Sequence, residues 1–179
     1  MTAEKKATAK MLLNPIHAIS MWLGSGLSPF ASGTVGTLAA IPLYIVVAHY
    51  VEWSVSQPQN FLILIAVLFI PGCVCAHYTG KELGVADHGA IVWDEVVGFF
   101  VTMFAVPYGS LTAFELAVWI TAGFFIFRFF DIFKPWPASW VDKNVKNGFG
   151  VMLDDVIAGM FAAATLYLGL MFLGGQNVL

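Results

Sequence analysis

The chain has 179 residues, 59% of them hydrophobic and 11% charged, with a mean hydropathy of +0.83. A soluble domain of this size does not carry such a composition, so the sequence reads as an all-α integral membrane protein with no nucleic-acid partner. The formal net charge of −3 says little by itself; its distribution along the chain says more.

Residues 1–10 carry Lys5, Lys6 and Lys10 and read as a mobile cytoplasmic tail ahead of a single membrane domain, residues 11–179. Residues 11–30 contain Asn14, Pro15 and His17 among glycines and serines, a poor signal-peptide core, and are expected to form an interfacial or re-entrant helix. Glycines and hydroxyls then crowd together in Gly24-Ser-Gly-Leu-Ser28-Pro29 and Ser32-Gly33-Thr34-Val-Gly36-Thr37. Such a stretch can offer N–H groups and hydroxyls to an anion at a helix N-terminus, and it can equally start a helix that packs closely by its backbone.

About five transmembrane helices follow, at 35–51, 61–77, 91–106, 111–131 and 151–173. Pro42 and Pro71 are expected to kink the first two. Cys73 and Cys75, with no second ligand pair at metal spacing, read as small packing residues. If the tail is cytoplasmic and residues 11–30 do not cross, the loops at 52–60 and 107–110 and the C-terminus face outward. Those segments contain no Lys or Arg, so all eight basic residues fall on the cytoplasmic side, as the positive-inside rule asks.

The third apolar run opens with Trp93, Asp94 and Glu95. Its uninterrupted part, 96–106, makes only about 17 Å of helix, so spanning about 30 Å of hydrocarbon draws Trp93 and the two acids to headgroup depth. Alternating directions put Asp94, Glu95, Asp131, Asp154 and Asp155 at the same interface. Adjacent helical residues point about 100° apart, so one acid of each pair is expected to face the cluster and the other to cap its helix or reach a second site. Four places after the first acid of each pair stand Gly98 and Ala158, small enough for close helix packing. Five carboxylates against Arg128 and Lys134 leave a local charge of −3, which low dielectric does not tolerate without cations. Hard oxygen ligands point to Mg2+, with Ca2+ or Mn2+ as alternatives, and such a site would accept a phosphate. Arg128 can pair with Asp131 three residues on or reach a ligand oxygen, and both Arg128 and Lys134 can instead snorkel to the interface. Asp87 and His88, in the loop before Asp94, can assist proton transfer or shape a turn.

Four ordered blocks carry a resemblance: Gly24-Ser-Gly-Leu-Ser-Pro with Gly33-Thr-Val-Gly-Thr-Leu-Ala-Ala-Ile-Pro, Asp87-His-Gly-Ala-Ile-Val-Trp-Asp-Glu, Phe127-Arg-Phe-Phe-Asp-Ile-Phe-Lys-Pro-Trp-Pro, and Gly150-Val-Met-Leu-Asp-Asp-Val-Ile-Ala-Gly. Together they resemble the bacterial phosphatidylglycerophosphatase A family. The resemblance implies a Mg2+-dependent enzyme of the bacterial inner membrane. It would hydrolyse the terminal phosphate monoester of phosphatidylglycerophosphate at the cytoplasmic face, giving phosphatidylglycerol and inorganic phosphate. On that reading Asp94, Glu95, Asp131, Asp154 and Asp155 hold the metal and, with His88, carry the chemistry. Arg128, Lys134, Ser32, Thr34 and Thr37 bind the lipid headgroup. The aspartyl-phosphate signature of soluble phosphatases is absent, so water is the expected nucleophile. The alternative from another class is a cation transporter or channel that uses the same carboxylates.

Overall fold

In the computed structural model, which describes residues 4–50 and 59–173, every regular element is helical. Short helices come first: a 3-10 turn at Ala9–Leu13, α1 at Pro15–Ser20 and a second 3-10 stretch at Trp22–Leu27. Asn14 caps α1 by accepting the Ile16 N–H, and Pro15 at the first helical position needs no partner for an N–H it lacks. Trp22, Leu23 and Gly24 take positive φ and end any regular helix there. Residues 11–30 are thus broken into pieces, none long enough to cross a bilayer.

Four later helices are long and apolar enough to do so: α2 (Ser32–Tyr50), α3 (Gln59–Leu83), and, further on, Ala113–Phe133 and Gly148–Leu173. Pro42 and Pro71 lie inside α2 and α3, and neither helix is interrupted. Between α3 and the third long helix runs α4, Trp93–Thr102, ten residues or about 15 Å, prolonged by a 3-10 turn at Met103–Ala105. The expected span at 91–106 is therefore no lipid-facing helix of membrane length: nine of the ten α4 residues are buried. It is apolar because protein encloses it on every side. Phe104, just past α4, stacks its ring 4.3 Å from that of Phe61 near the start of α3, and Tyr108 meets Tyr44 of α2. The chain after α4 thus leads away from its two acids to the far end of the bundle.

The third long helix, α5 (Ala113–Phe133), starts in a reciprocal cap in which the Thr112 hydroxyl accepts the Glu115 N–H and Glu115 accepts the Thr112 N–H. It stops at Lys134, whose left-handed backbone (φ 41) turns the chain into the Trp136–Pro137 cis peptide and the short α6, Ala138–Asn144. The last helix, α7 (Gly148–Leu173), begins where the Asn147 side chain accepts the Phe149 and Gly150 N–H groups, both at 3.0 Å.

The core is aromatic, with Tyr44, Phe99, Phe100, Phe124 and Phe127 packed against Met152 and Leu166. Outside it, Leu62, Ile63, Val67 and Ile70 on α3 and Phe125, Phe129 and Ile132 on α5 stay exposed, the face a membrane protein turns to lipid. From Glu4 onward the tail lies against the rest of the chain. The Lys5 N–H bonds the Leu83 carbonyl at 2.8 Å, and Ala7, Met11 and Leu12 close an apolar cluster around Met21, Leu83 and Ala90. The expected outward loop at 52–60 and the C-terminal tail lie almost wholly outside the described residues.

Candidate active site

Glycines decide how the acids meet. At the α4–α7 crossing a Cβ on Gly98 would stand 2.6 Å from the Phe127 ring and 2.8 Å from the Asp155 carbonyl, and one on Gly159 would overlap the Gly98 carbonyl. Close backbone approach through small residues is the usual way membrane helices associate. Gly98 meets Gly159, and Ala158, one of the two small residues expected to pack closely, is fully buried next to it. This crossing sets the first turn of α4 beside the second turn of α7.

Asp94, Glu95 and Asp155 consequently each offer a carboxylate oxygen within 4.8 Å of the others, a group able to hold a metal ion. Asp94 and Asp155 are buried, at 7% and 2% exposure. One oxygen of each acid, Asp94 Oδ1, Glu95 Oε2 and Asp155 Oδ2, is buried without a hydrogen-bond partner. Three convergent carboxylates, each with a buried oxygen that lacks a partner, are costly alone and fit a divalent cation. Both members of the first acidic pair join this group, where one was expected. The second pair divides as expected: Asp154 turns away to Lys134, and its Oδ1 also accepts the Asp155 N–H at 3.1 Å.

The two cations tie α5 to its neighbours. Arg128 pairs with Asp131 on its own helix and lies 3.6 Å from Glu95 of α4, while Lys134 pairs with Asp154 of α7. Both therefore point inward and not to the interface, and Arg128 keeps a buried Nε with no partner. Burial alone would lower the Lys134 pKa, but the charges of Asp155, Asp154 and Asp131 raise it above its ordinary value, so it stays ammonium. Asp131 is likewise buried.

The remaining expected residues are placed differently. Both His88 ring nitrogens are engaged, Nδ1 accepting the Ala90 N–H and Nε2 meeting the Lys5 carbonyl at 3.1 Å, with Glu4 at 3.6 Å. It shapes the loop, and no contact joins it to the carboxylates. Ser32 donates to the Gly89 carbonyl, and the buried Thr37 hydroxyl donates to Gly33 O, 2.8 Å away in the preceding turn of its own helix. Thr34 is half-buried. Trp136 and Trp140 are exposed, as aromatic anchors would be.

The family model for phosphatidylglycerophosphatase A matches residues 18–170. The chain belongs to the phosphatidylglycerophosphatase A family. It is similar to the phosphatidylglycerophosphatase A of Escherichia coli (strain K12), 41% identical over 154 residues that cover 86% of this chain and 83% of that protein. The Haemophilus influenzae protein of the same name is 42% identical, covering 87% and 89%. A putative phosphatidylinositol-3-phosphatase of Bacteroides thetaiotaomicron is 33% identical, covering 80% and 86%. No solved structure matches.

Two further residues stand near the acids of this phosphatidylglycerophosphatase A family member. Asp87 lies near enough to Asp94 and Asp154 for their charges to interact, from the loop that His88 ties down. Gly33, at the start of α2, has no room for a side chain beside Glu95 and Arg128. Its only signal in the sequence is a glycine among hydroxyls ahead of an apolar run.

Proposed function

We propose that the chain hydrolyses the terminal phosphate monoester of phosphatidylglycerophosphate to phosphatidylglycerol and inorganic phosphate, with Mg2+ bound at Asp94, Glu95 and Asp155. The observation that carries this reading is the trio of unpartnered carboxylate oxygens, flanked by Arg128 and Lys134, in a chain of this family. The basic residues support a site at the cytoplasmic interface of the inner membrane. Four long helices and the enclosed α4 then carry the chain across five times.

When bound, Mg2+ would neutralise phosphate oxygens and make an attacking water more acidic. The proton that water releases passes to a neighbouring carboxylate, Asp87 being one outside the metal-holding trio, and a proton is returned to the departing glycerol oxygen, giving phosphatidylglycerol and inorganic phosphate. Arg128 presents its free Nε edge to an equatorial phosphate oxygen, while Asp131 and Glu95 fix the plane of the guanidinium. Lys134 pairs with Asp154 and adds positive charge where the phosphate approaches. Phosphoryl transfer passes through a loose transition state, so positioning and charge supply most of the rate. His88 serves by holding the loop, and Asp87 is the nearer group for passing a proton to solvent. The lipid keeps its acyl chains in the bilayer and brings its headgroup to this depth.

The cation-transporter alternative finds no support among the relatives, and the five acids gather at one end of the bundle instead of lining a path through it. The test is phosphate release by purified protein in detergent micelles, from phosphatidylglycerophosphate and from phosphatidylinositol 3-phosphate, with EDTA and then with Mg2+ restored. Release from phosphatidylglycerophosphate that EDTA abolishes and Mg2+ restores is expected. Release unaffected by EDTA removes the metal, and release only from the inositol lipid removes the substrate.

A further inference from the structure

The segment from Ser20 to Gly36 meets the start of α4 at successive points. The Ser20 carbonyl accepts the Val92 N–H at 2.9 Å, at the residue that precedes α4, and Ser32 donates to the Gly89 carbonyl. A Cβ on Gly26 would overlap the Ala90 carbonyl, and one on Gly36 would stand 2.7 Å from the Val92 Cβ. At Gly33 a Cβ would overlap Glu95 Oε1 and lie 3.0 and 3.1 Å from the two terminal nitrogens of Arg128. Four contacts thus meet the chain just ahead of the acids, at Gly89, Ala90 and Val92, and the fifth touches an acid itself.

Glu95 has two inequivalent oxygens. Oε1 faces Gly33 and Arg128, and Oε2 is buried without a partner. A glutamate side chain has three rotatable bonds, and nothing on α4 itself holds its carboxylate in one orientation. The backbone of the first α2 turn, lying flush against Oε1, does.

We propose that Gly33 is a positioning residue: lacking a side chain, it lets α2 close on Glu95 Oε1 and Arg128 and so directs Glu95 Oε2 toward Asp94 and Asp155. The stretch read from sequence as a headgroup pocket acts first as a rigid stop for a carboxylate. This inference rests on the reading of Asp94, Glu95 and Asp155 as the metal-holding group, and it has a readout that needs no turnover. Gly33→Ala forces Glu95 to swing away, weakening the site for a divalent cation while leaving the helices in place.

The experiment compares wild type, Gly33→Ala, Glu95→Asp, the double variant and Gly109→Ala as purified proteins in detergent. Gly109 has nothing within 4 Å of a would-be Cβ, so its variant reports the effect of a glycine-to-alanine change alone. Thermal unfolding is followed against Mg2+ concentration, and phosphate release is measured separately. Gly33→Ala is expected to raise the Mg2+ concentration for half-maximal stabilisation at least about fivefold and to lower kcat at least about tenfold. Glu95→Asp withdraws the carboxylate by one methylene, so Gly33→Ala added to it is expected to cost less than about threefold more. A Gly33→Ala protein as active and as Mg2+-responsive as Gly109→Ala overturns the proposal. So does loss of stability in EDTA that is unchanged by Mg2+ and additive with Glu95→Asp, because Gly33 would then be a packing residue only. If wild type itself shows no Mg2+ response, the metal reading fails. Non-additivity in phosphate release would still report whether Gly33 acts through Glu95.

Discussion

Asp155→Asn separates charge from shape at the centre of the site. The side chain is 2% exposed, sits with Asp94 and Glu95, and keeps one oxygen without a partner. Asparagine has nearly the same volume, so packing at the α4–α7 crossing is retained. In EDTA the variant loses a buried like charge, and its Tm is expected to rise above that of wild type. With Mg2+ the order reverses. A ligand at a hundred times its Kd stabilises the folded state by about 2.7 kcal/mol, which for a chain of this size is about 5–11 °C in Tm. Affinity weakened tenfold at the same Mg2+ concentration leaves about 1.4 kcal/mol, or about 3–6 °C. Phosphate release should fall at least about tenfold. Differential scanning fluorimetry in detergent, with EDTA and over a Mg2+ series, reads both signs in one experiment. An equal Mg2+ gain in variant and wild type would refute the role of Asp155. A lower Tm in EDTA would refute the charge argument.

Lys134→Ala leaves the Asp154 charge buried and unpaired, and is expected to destabilise the protein by roughly 3 kcal/mol, the low end for a broken buried pair because Lys134 keeps 25% side-chain exposure. Lys134→Arg should recover most of that loss, and equilibrium unfolding in mixed micelles compares the two. Gly159→Leu drives a side chain into the Gly98 carbonyl and parts α4 from α7. Both folded yield and phosphate release are expected to fall together; a folded, fully active Gly159→Leu protein would contradict the observed crossing.

Five acids in a chain with 11% charged residues are conspicuous, and counting apolar runs was enough to bring them to one end of the bundle. The pairing of Arg128 with Asp131 was legible too, because three residues apart on a helix means one face. The nature of α4 was not. An apolar run reads the same whether lipid or protein surrounds it, and only the packed neighbours reveal that Val96 to Thr102 are enclosed. The docking of the tail was hidden for another reason: beside the scattered apolar contacts of Ala7, Met11 and Leu12 it uses a backbone bond from Lys5 to Leu83, which leaves no side-chain pattern.

The glycines lie between these cases. Spacing by four singled out Gly98 and Ala158 as small residues for close packing and passed over Gly159, whose backbone meets the Gly98 carbonyl. A helical spacing rule compares side chains on one face and is blind to where two backbones touch. Gly33 follows the same logic at the site itself: with a Cβ it would overlap Glu95 Oε1, so its place against Glu95 requires the residue without one. Charges in the sequence indicate which end of the bundle gathers the acids, and on the proposal made for Gly33 the glycine contacts set how their carboxylates meet there.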